Sequence, residues 1–320
     1  MGEYVLRRLL LFIPTLLGLT LLIFVILRIV PGDPAAAILS GTSGEVPYTQ
    51  QDLEELRARL GMDRPLHVQY LTWIRGIVTL DWGRSLFNTN QGVFQEISKR
   101  FLLSMELALL AWVMATCMGV LVGIIAAVRQ DTPADYASRA FSVLGLSMPT
   151  FWVGTLVIIF LSRVLNWLPP LGFKYLWESP VDNLAQLIWP ALALSYFLNA
   201  SVARMTRTQM LEVMRQDYIR TAVAKGLRER SVVLRHALKN ALLPVITISG
   251  IQLGHLLAGT VVMEQIFSLP GMGRLLIDSI NRRDFPIIQG IVFSMGFIFV
   301  TMNLLVDMAY GLLDPRIRYR

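Results

Sequence analysis

A chain of 320 residues with only 16% charged side chains cannot cover a soluble surface, which takes about 25%. The formal charge of +7 does not point to nucleic acid, because the basic residues gather in loops between apolar runs, where they set membrane topology. A single cysteine, Cys117, lies inside an apolar run, so an intrachain disulfide is excluded and packing is its role.

About 20 apolar residues cross a bilayer core as a helix. Six stretches qualify: Leu9–Val30, Phe101–Val128, Ser138–Ser162, Leu184–Ala203, Ala241–Met263 and Ile287–Gly311. The expected fold is an all-α polytopic membrane protein with six transmembrane helices. The first stretch is too long for a signal-peptide core, and Pro31-Gly32-Asp33-Pro34 follows it in place of a small-residue cleavage site. It therefore reads as an uncleaved span, and residues 1–30 form an N-terminal tail and first helix.

Residues 31–100 are too many for a bare connector. Thr49 and Asp52 make a capping-box pattern ahead of Leu53, Leu56 and Leu60, and Gly61 stands at a helix stop. Pro65 opens a second helix with Tyr70, Trp73, Ile74 and Ile77 on one face. This outer helical segment either caps the outer mouth or receives an external partner. Residues 101–320 form a five-helix core. Within it, Pro149 and Pro190 are candidate kinks.

With the N-terminus inside, the cytoplasmic side holds 16 Lys and Arg residues, nine of them between 204 and 240, against five in the two short outer loops. That asymmetry places both termini in the cytoplasm.

The 204–240 loop carries the strongest local pattern. Ile219, Ala222, Val223 and Gly226 recur at i, i+3, i+4 and i+7, which is one helix face. Asp217 suits the start of that helix and Lys225 its end. Gly226 suits a left-handed stop. A second helix through Val232, Val233, Leu234 and Leu238 runs to Pro244, closing a hairpin with small residues near its tip. Small residues admit a close partner, whereas a basic amphipathic helix also rests on anionic membrane lipid. Periodicity alone leaves the two level.

Catalytic patterns are missing. His67, His236 and His255 fall in three different regions, and no His-x-x-x-His or Cys-x-x-Cys spacing for a metal occurs. Ser249 and His255 stand about 240° apart around one helix, too far for a catalytic pair. None of Lys99, Lys174, Lys225 and Lys239 follows a glycine or precedes Ser or Thr, so there is no phosphate-cradling loop. The chain reads as no enzyme, with no cofactor and no metal. If ATP drives it, the ATPase is another polypeptide. A secondary transporter needs an inverted repeat or a mid-span carboxylate, and neither is visible. Inside the spans, Gln252 and His255 are the notable polar side chains. An ionisable residue at membrane depth is a candidate for the translocation path, although a histidine bonded to a neighbouring span is equally ordinary. Glu106 and Glu264 are placed near the outer interface and Asp307 near the inner one.

Residues 220–230, Arg220-Thr221-Ala222-Val223-Ala224-Lys225-Gly226-Leu227-Arg228-Glu229-Arg230, followed by His236-Ala237-Leu238-Lys239-Asn240-Ala241-Leu242-Leu243-Pro244, resemble the coupling loop of binding-protein-dependent ABC importer permeases. Arg220 stands where the general family signature has glutamate, as in the dipeptide, oligopeptide and nickel variant. Five further pieces are similar to that subfamily: Pro31–Pro34, Arg204-Met205-Thr206-Arg207, Pro270-Gly271-Met272-Gly273-Arg274, Arg283-Asp284-Phe285-Pro286 and Asp314–Tyr319. Leu80, before Asp81-Trp82-Gly83, departs from the subfamily's usual glycine. The long outer segment resembles the first of two paired permeases. The resemblance implies a second permease subunit, two cytoplasmic ATPases and an external solute-binding protein. It makes Arg220, Thr221, Ala222, Lys225, Gly226 and Arg228 the expected ATPase-coupling residues. Dipeptides or oligopeptides are the expected cargo, with nickel chelates, glutathione-like peptides and oligosaccharides as alternatives.

Overall fold

The computed structural model describes residues 2–29, 33–39, 46–87, 90, 92–170 and 172–313. Pro31-Gly32 and the 314–319 motif lie outside them, as does the Asp307 side chain. Thirteen helices run in order among the described residues: α1 (Gly2–Ile29), α2 (Pro34–Leu39), α3 (Gln50–Arg59), α4 (Leu66–Thr79), α5 (Val93–Val128), α6 (Pro133–Ser147), α7 (Thr150–Val164), α8 (Pro180–Met214), α9 (Asp217–Ala224), α10 (Glu229–Ser231), then after a π-helical turn at Val232–Ala237, α11 (Leu238–Ile266), α12 (Met272–Arg282) and α13 (Phe285–Leu313). Strands are absent among these residues apart from an isolated bridge, Arg84 to Gly92. In a bilayer core every backbone group must be satisfied within its own segment, and helices do that.

Four described helical runs are long and apolar enough to cross a membrane: Arg8–Ile29, Val93–Val128, Glu229–Ile266 and Phe285–Val306. The expected third span, Ser138–Ser162, is not one straight rod. It is α6 and α7, bent by 109° at Met148-Pro149. Proline there supplies no N–H and disfavours helical backbone in the preceding residue. Met148 is extended accordingly, at φ −86° and ψ 128°. Counting that pair once gives five. The expected fourth span lies within α8, whose 35 residues extend about 52 Å, but α8 is too polar to count among the crossing helices. Asn183, Gln186, Ser195 and Asn199 are all buried in it. Pro190 sits inside α8 without ending it. The count of six is thus not reproduced by length and composition.

The expected division at residues 30 and 100 follows topology. By packing, the chain forms two compact units, Gly2–Ser104 with Pro270–Thr301, and Met105–Leu269 with the chain from Met302.

In the first unit, the capping box forms as expected. The Thr49 hydroxyl accepts the Asp52 N–H at 3.2 Å, and the Asp52 carboxylate accepts the Thr49 N–H at 2.9 Å and its hydroxyl at 2.6 Å. Those two donors hold the Asp52 carboxyl below its usual range. Gly61 takes φ +66° just beyond α3. Pro65 is the cap of α4 and Leu66 its first residue. Tyr70, Trp73, Ile74 and Ile77 of α4 are half-buried, and Phe24 of α1 meets the Tyr70 and Trp73 rings at 5.4 and 6.4 Å. Leu80 ends α4 in left-handed backbone at φ 59°, so the position where the subfamily has glycine is one that glycine suits. The stretch that follows Leu80, Asp81-Trp82-Gly83-Arg84-Ser85, meets the Arg283–Pro286 motif here. The Ser85 hydroxyl donates to the buried Asp284 carboxylate, whose other oxygen accepts the Leu86 N–H at 3.2 Å.

In the second unit, α8 packs against α6, α7 and α11. Small residues let α5 approach α8. A Cβ on Gly119 would stand 2.7 Å from Val202 Cβ, and one on Gly123 would stand 2.5 Å from Thr206 Cβ. Such small-residue contacts drive helix association in lipid, where apolar burial gains little.

Candidate coupling hairpin and membrane cleft

The expected helix over the loop forms as α9, which has eight residues. Asp217 is in its first turn and Lys225 is its C-cap. Gly226 follows at φ +75°, and its N–H reaches the Val223 carbonyl at 2.9 Å while Leu227 N–H reaches that of Ala222. Nothing lies within 4 Å of where a Gly226 Cβ would be. Glycine is therefore needed there for its backbone and not for space.

The four-residue face expected from periodicity splits. Ile219 and Ala222 are buried in a cluster with Ala127, Met210, Val232, Val233, Ala237 and Ala241. Val223 is 59% exposed. A two-turn helix buries only a narrow stripe, here i and i+3, and the i+4 position turns outward. Ala222 thus packs the hairpin onto its own unit. Arg220, Thr221, Lys225, Gly226 and Arg228 are exposed, beside the exposed apolar side chains of Tyr218 and Leu227. This is a mixed cationic and apolar surface. Asn240 donates to the Tyr218 hydroxyl at 2.8 Å and ties α9 to α11.

The second arm differs from expectation. It does not stop at Pro244. It passes through the π turn at Val232–Ala237 and on through Pro244 to Ile266. Packing of α11 against α8 and α7 holds the helix together where the proline removes one hydrogen bond. The arm and the long span are therefore one continuous run, Glu229–Ile266.

That run carries Gln252 and His255. Both line a cleft of about 480 Å³ together with Thr150, Phe197 and Leu256. Gln252 Nε2 donates to Ser201 Oγ at 3.0 Å, and its Oε1 is buried without a hydrogen-bond partner. His255 faces the cleft from an exposed position. Ser249 is not directed to His255. Its hydroxyl meets that of Thr116 at 2.7 Å, and its carbonyl accepts Trp112 Nε1 at 2.8 Å. Of the membrane carboxylates, Glu264 is fully buried and Glu106 accepts from Asn183 at 3.4 Å.

Sequence reasoning missed Asp135. This carboxylate has no exposed side-chain area, and it binds Arg207 through two hydrogen bonds of 2.7 and 2.8 Å. Arg139 lies 3.2 Å away. The available signal was an acid one turn before Arg139, at the i, i+4 spacing of a helical ion pair.

An all-α chain with several helices long and apolar enough to cross a membrane, and a basic hairpin continuous with one of them, defines a polytopic membrane protein. Residues 119–319 match the family model described as binding-protein-dependent transport system inner membrane component, and residues 1–108 match that of its N-terminal part. The chain belongs to this family of permease subunits, which are not enzymes and work with a separate ATPase, a partner permease and a binding protein. It is 43% identical over 319 residues to a putative peptide transport system permease protein of Brucella abortus (strain 2308), covering 100% of both chains. It is 40% identical over 343 residues to the dipeptide transport system permease protein DppB of Escherichia coli (strain K12), again covering 100% of both. The crystal structure of an amino acid ABC transporter with histidines superposes with a TM-score of 0.52 at 15% identity, covering 68% of this chain and 93% of that one. That likeness is one of fold.

Proposed function

We propose that this chain is the first-type permease of an ATP-driven importer for dipeptides or oligopeptides, with the α9–α10 hairpin as the docking point of a cytoplasmic ATPase. The peptide and dipeptide names of its full-length relatives support the cargo. Both termini lie in the cytoplasm, as the basic residues require. Six crossings follow when α6 with α7 counts as the third and α8 as the fourth. The 31–100 segment faces outward, toward the binding protein.

The observation that carries the coupling role is the unbroken run from Glu229 to Ile266. Arg220, Thr221, Lys225, Gly226 and Arg228 meet the ATPase, and Ala222 keeps α9 seated. A push on the hairpin tip travels along a rigid helix to Gln252 and His255. His255 is 26 residues from Glu229, about 39 Å by helical rise. Those two side chains line the translocation path.

The test is co-purification. With its partner permease and ATPases expressed, the chain should retain the ATPases, and a dipeptide-loaded binding protein should stimulate ATP hydrolysis. Hydrolysis indifferent to the binding protein would sink the importer assignment.

A further inference from the structure

A second cleft, of about 300 Å³, opens between α5, α6 and α8. Its wall is apolar, formed by Val122, Ala126, Val143 and Leu146. Its other end carries Arg139, Arg204 and Arg207, with the hydroxyls of Ser138, Ser142 and Thr208 around them. The three arginines are not equivalent. Arg207 is held by both oxygens of buried Asp135. Arg139 is half-engaged, 3.2 Å from Asp135 and 3.8 Å from Asp131, with its guanidinium 4.4 Å from the Tyr136 ring centre. Arg204 is exposed and has no carboxylate partner among the described residues. Two carboxylates thus face three guanidiniums, and one positive charge is left at the cleft.

The cleft is amphipathic in the same sense as a phospholipid. An apolar trough leads to a cationic end, where the Ser138, Ser142 and Thr208 hydroxyls are spent on carbonyls of their own helices and the guanidiniums supply the free donors. Guanidinium groups match phosphate oxygens in shape as well as charge, and basic pockets between membrane helices suit anionic head groups. A soluble anion would use the arginines but leave the trough bare. We propose that this cleft holds one anionic phospholipid, with its phosphate between Arg139 and Arg204 and an acyl chain along Val122 and Val143. Asp135 serves the site by fixing Arg207 and narrowing the freedom of Arg139, so the charges are arranged before the lipid arrives. The site depends on the chain spanning a membrane and not on what the chain transports.

The experiment uses the full chain in neutral detergent, titrated with phosphatidylglycerol, with phosphatidylcholine of the same acyl chains, and with inorganic phosphate, and read by native mass spectrometry. Phosphatidylglycerol should bind at least tenfold more tightly than phosphatidylcholine. Losing each arginine should weaken it about fivefold, so R139Q/R204Q should lose about 25-fold. Should the double variant fail to fold, Arg204→Gln alone decides, with its single fivefold loss. Val143→Trp fills the trough without touching the charges and should also abolish retention. Equal binding of the two lipids, full binding by the arginine variants, or inorganic phosphate competing at the concentration of the lipid would each overturn the proposal.

Discussion

Asp135 and Arg207 are 72 residues apart in the chain and form a two-pronged ion pair, with Arg207 Nε and Nη2 at 2.7 and 2.8 Å from the two carboxylate oxygens. The carboxylate is fully enclosed, and the arginine keeps 20% of its side chain in contact with the surroundings. This pair joins α6 to α8. Breaking one side of a buried pair leaves a charge without its partner, at a cost of about 3 kcal/mol. Asp135→Asn should therefore lower the thermal midpoint in detergent by several degrees. Adding Arg207→Gln to it should recover part of the loss, because the stranded charge is then gone. A midpoint unchanged in Asp135→Asn would show the pair to be dispensable.

Gly123 sets the distance between α5 and α8. A Cβ there would come to 2.5 Å from Thr206 Cβ and 2.7 Å from the Ala203 carbonyl oxygen. Gly123→Val should cost about 1–3 kcal/mol through forced separation. Gly18→Val is the control, since nothing lies within 4 Å of the corresponding position. Comparing the two melting curves checks the claim, and equal curves would refute it.

Leu80 bears a conformation at φ 59° that costs a non-glycine residue about 1–2 kcal/mol. Glycine gives back about 0.5–1 kcal/mol in unfolded-state entropy. The Leu80 side chain is 59% exposed, so little packing is lost. Leu80→Gly should stabilise the outer unit by about 0.5–1 kcal/mol, seen as slower proteolysis of the 46–87 region. Faster proteolysis would mean that the side chain matters more than the backbone.

The Asp52 carboxyl is depressed by its two donors from Thr49. A group with a lowered folded-state value stabilises above its unfolded value and loses that contribution as pH falls through the folded one. Hydrogen exchange at the start of α3 should thus quicken relative to α4 as pH drops below the ordinary carboxylate range, and Thr49→Ala, which loses the hydroxyl donor and keeps the backbone one, should shrink that difference.

Much of this was legible in the chain. The capping box and the Gly226 stop are local patterns, and each formed where local physics places it. The 109° break at Met148-Pro149 was half legible. A proline marks a boundary, but the apolar residues on both sides read as one span. The passage of the helix through Pro244 was not, because helix-to-helix packing overrides the proline. Ala222 turned inward because a two-turn helix has too narrow a buried stripe for all four periodic positions. Asp135 and Arg207 were invisible as a pair, since nothing local joins residues so far apart.

The central claim is that the hairpin tip couples ATP hydrolysis to transport along the Glu229–Ile266 run. Gly226→Val tests it most directly. The position has open space around it, so the variant strains only the backbone turn. In the reconstituted importer, uptake of labelled dipeptide and ATP hydrolysis would be measured together. The account predicts a complex whose uptake falls at least tenfold while the spans stay folded. Assembly and uptake at the wild-type rate would contradict it.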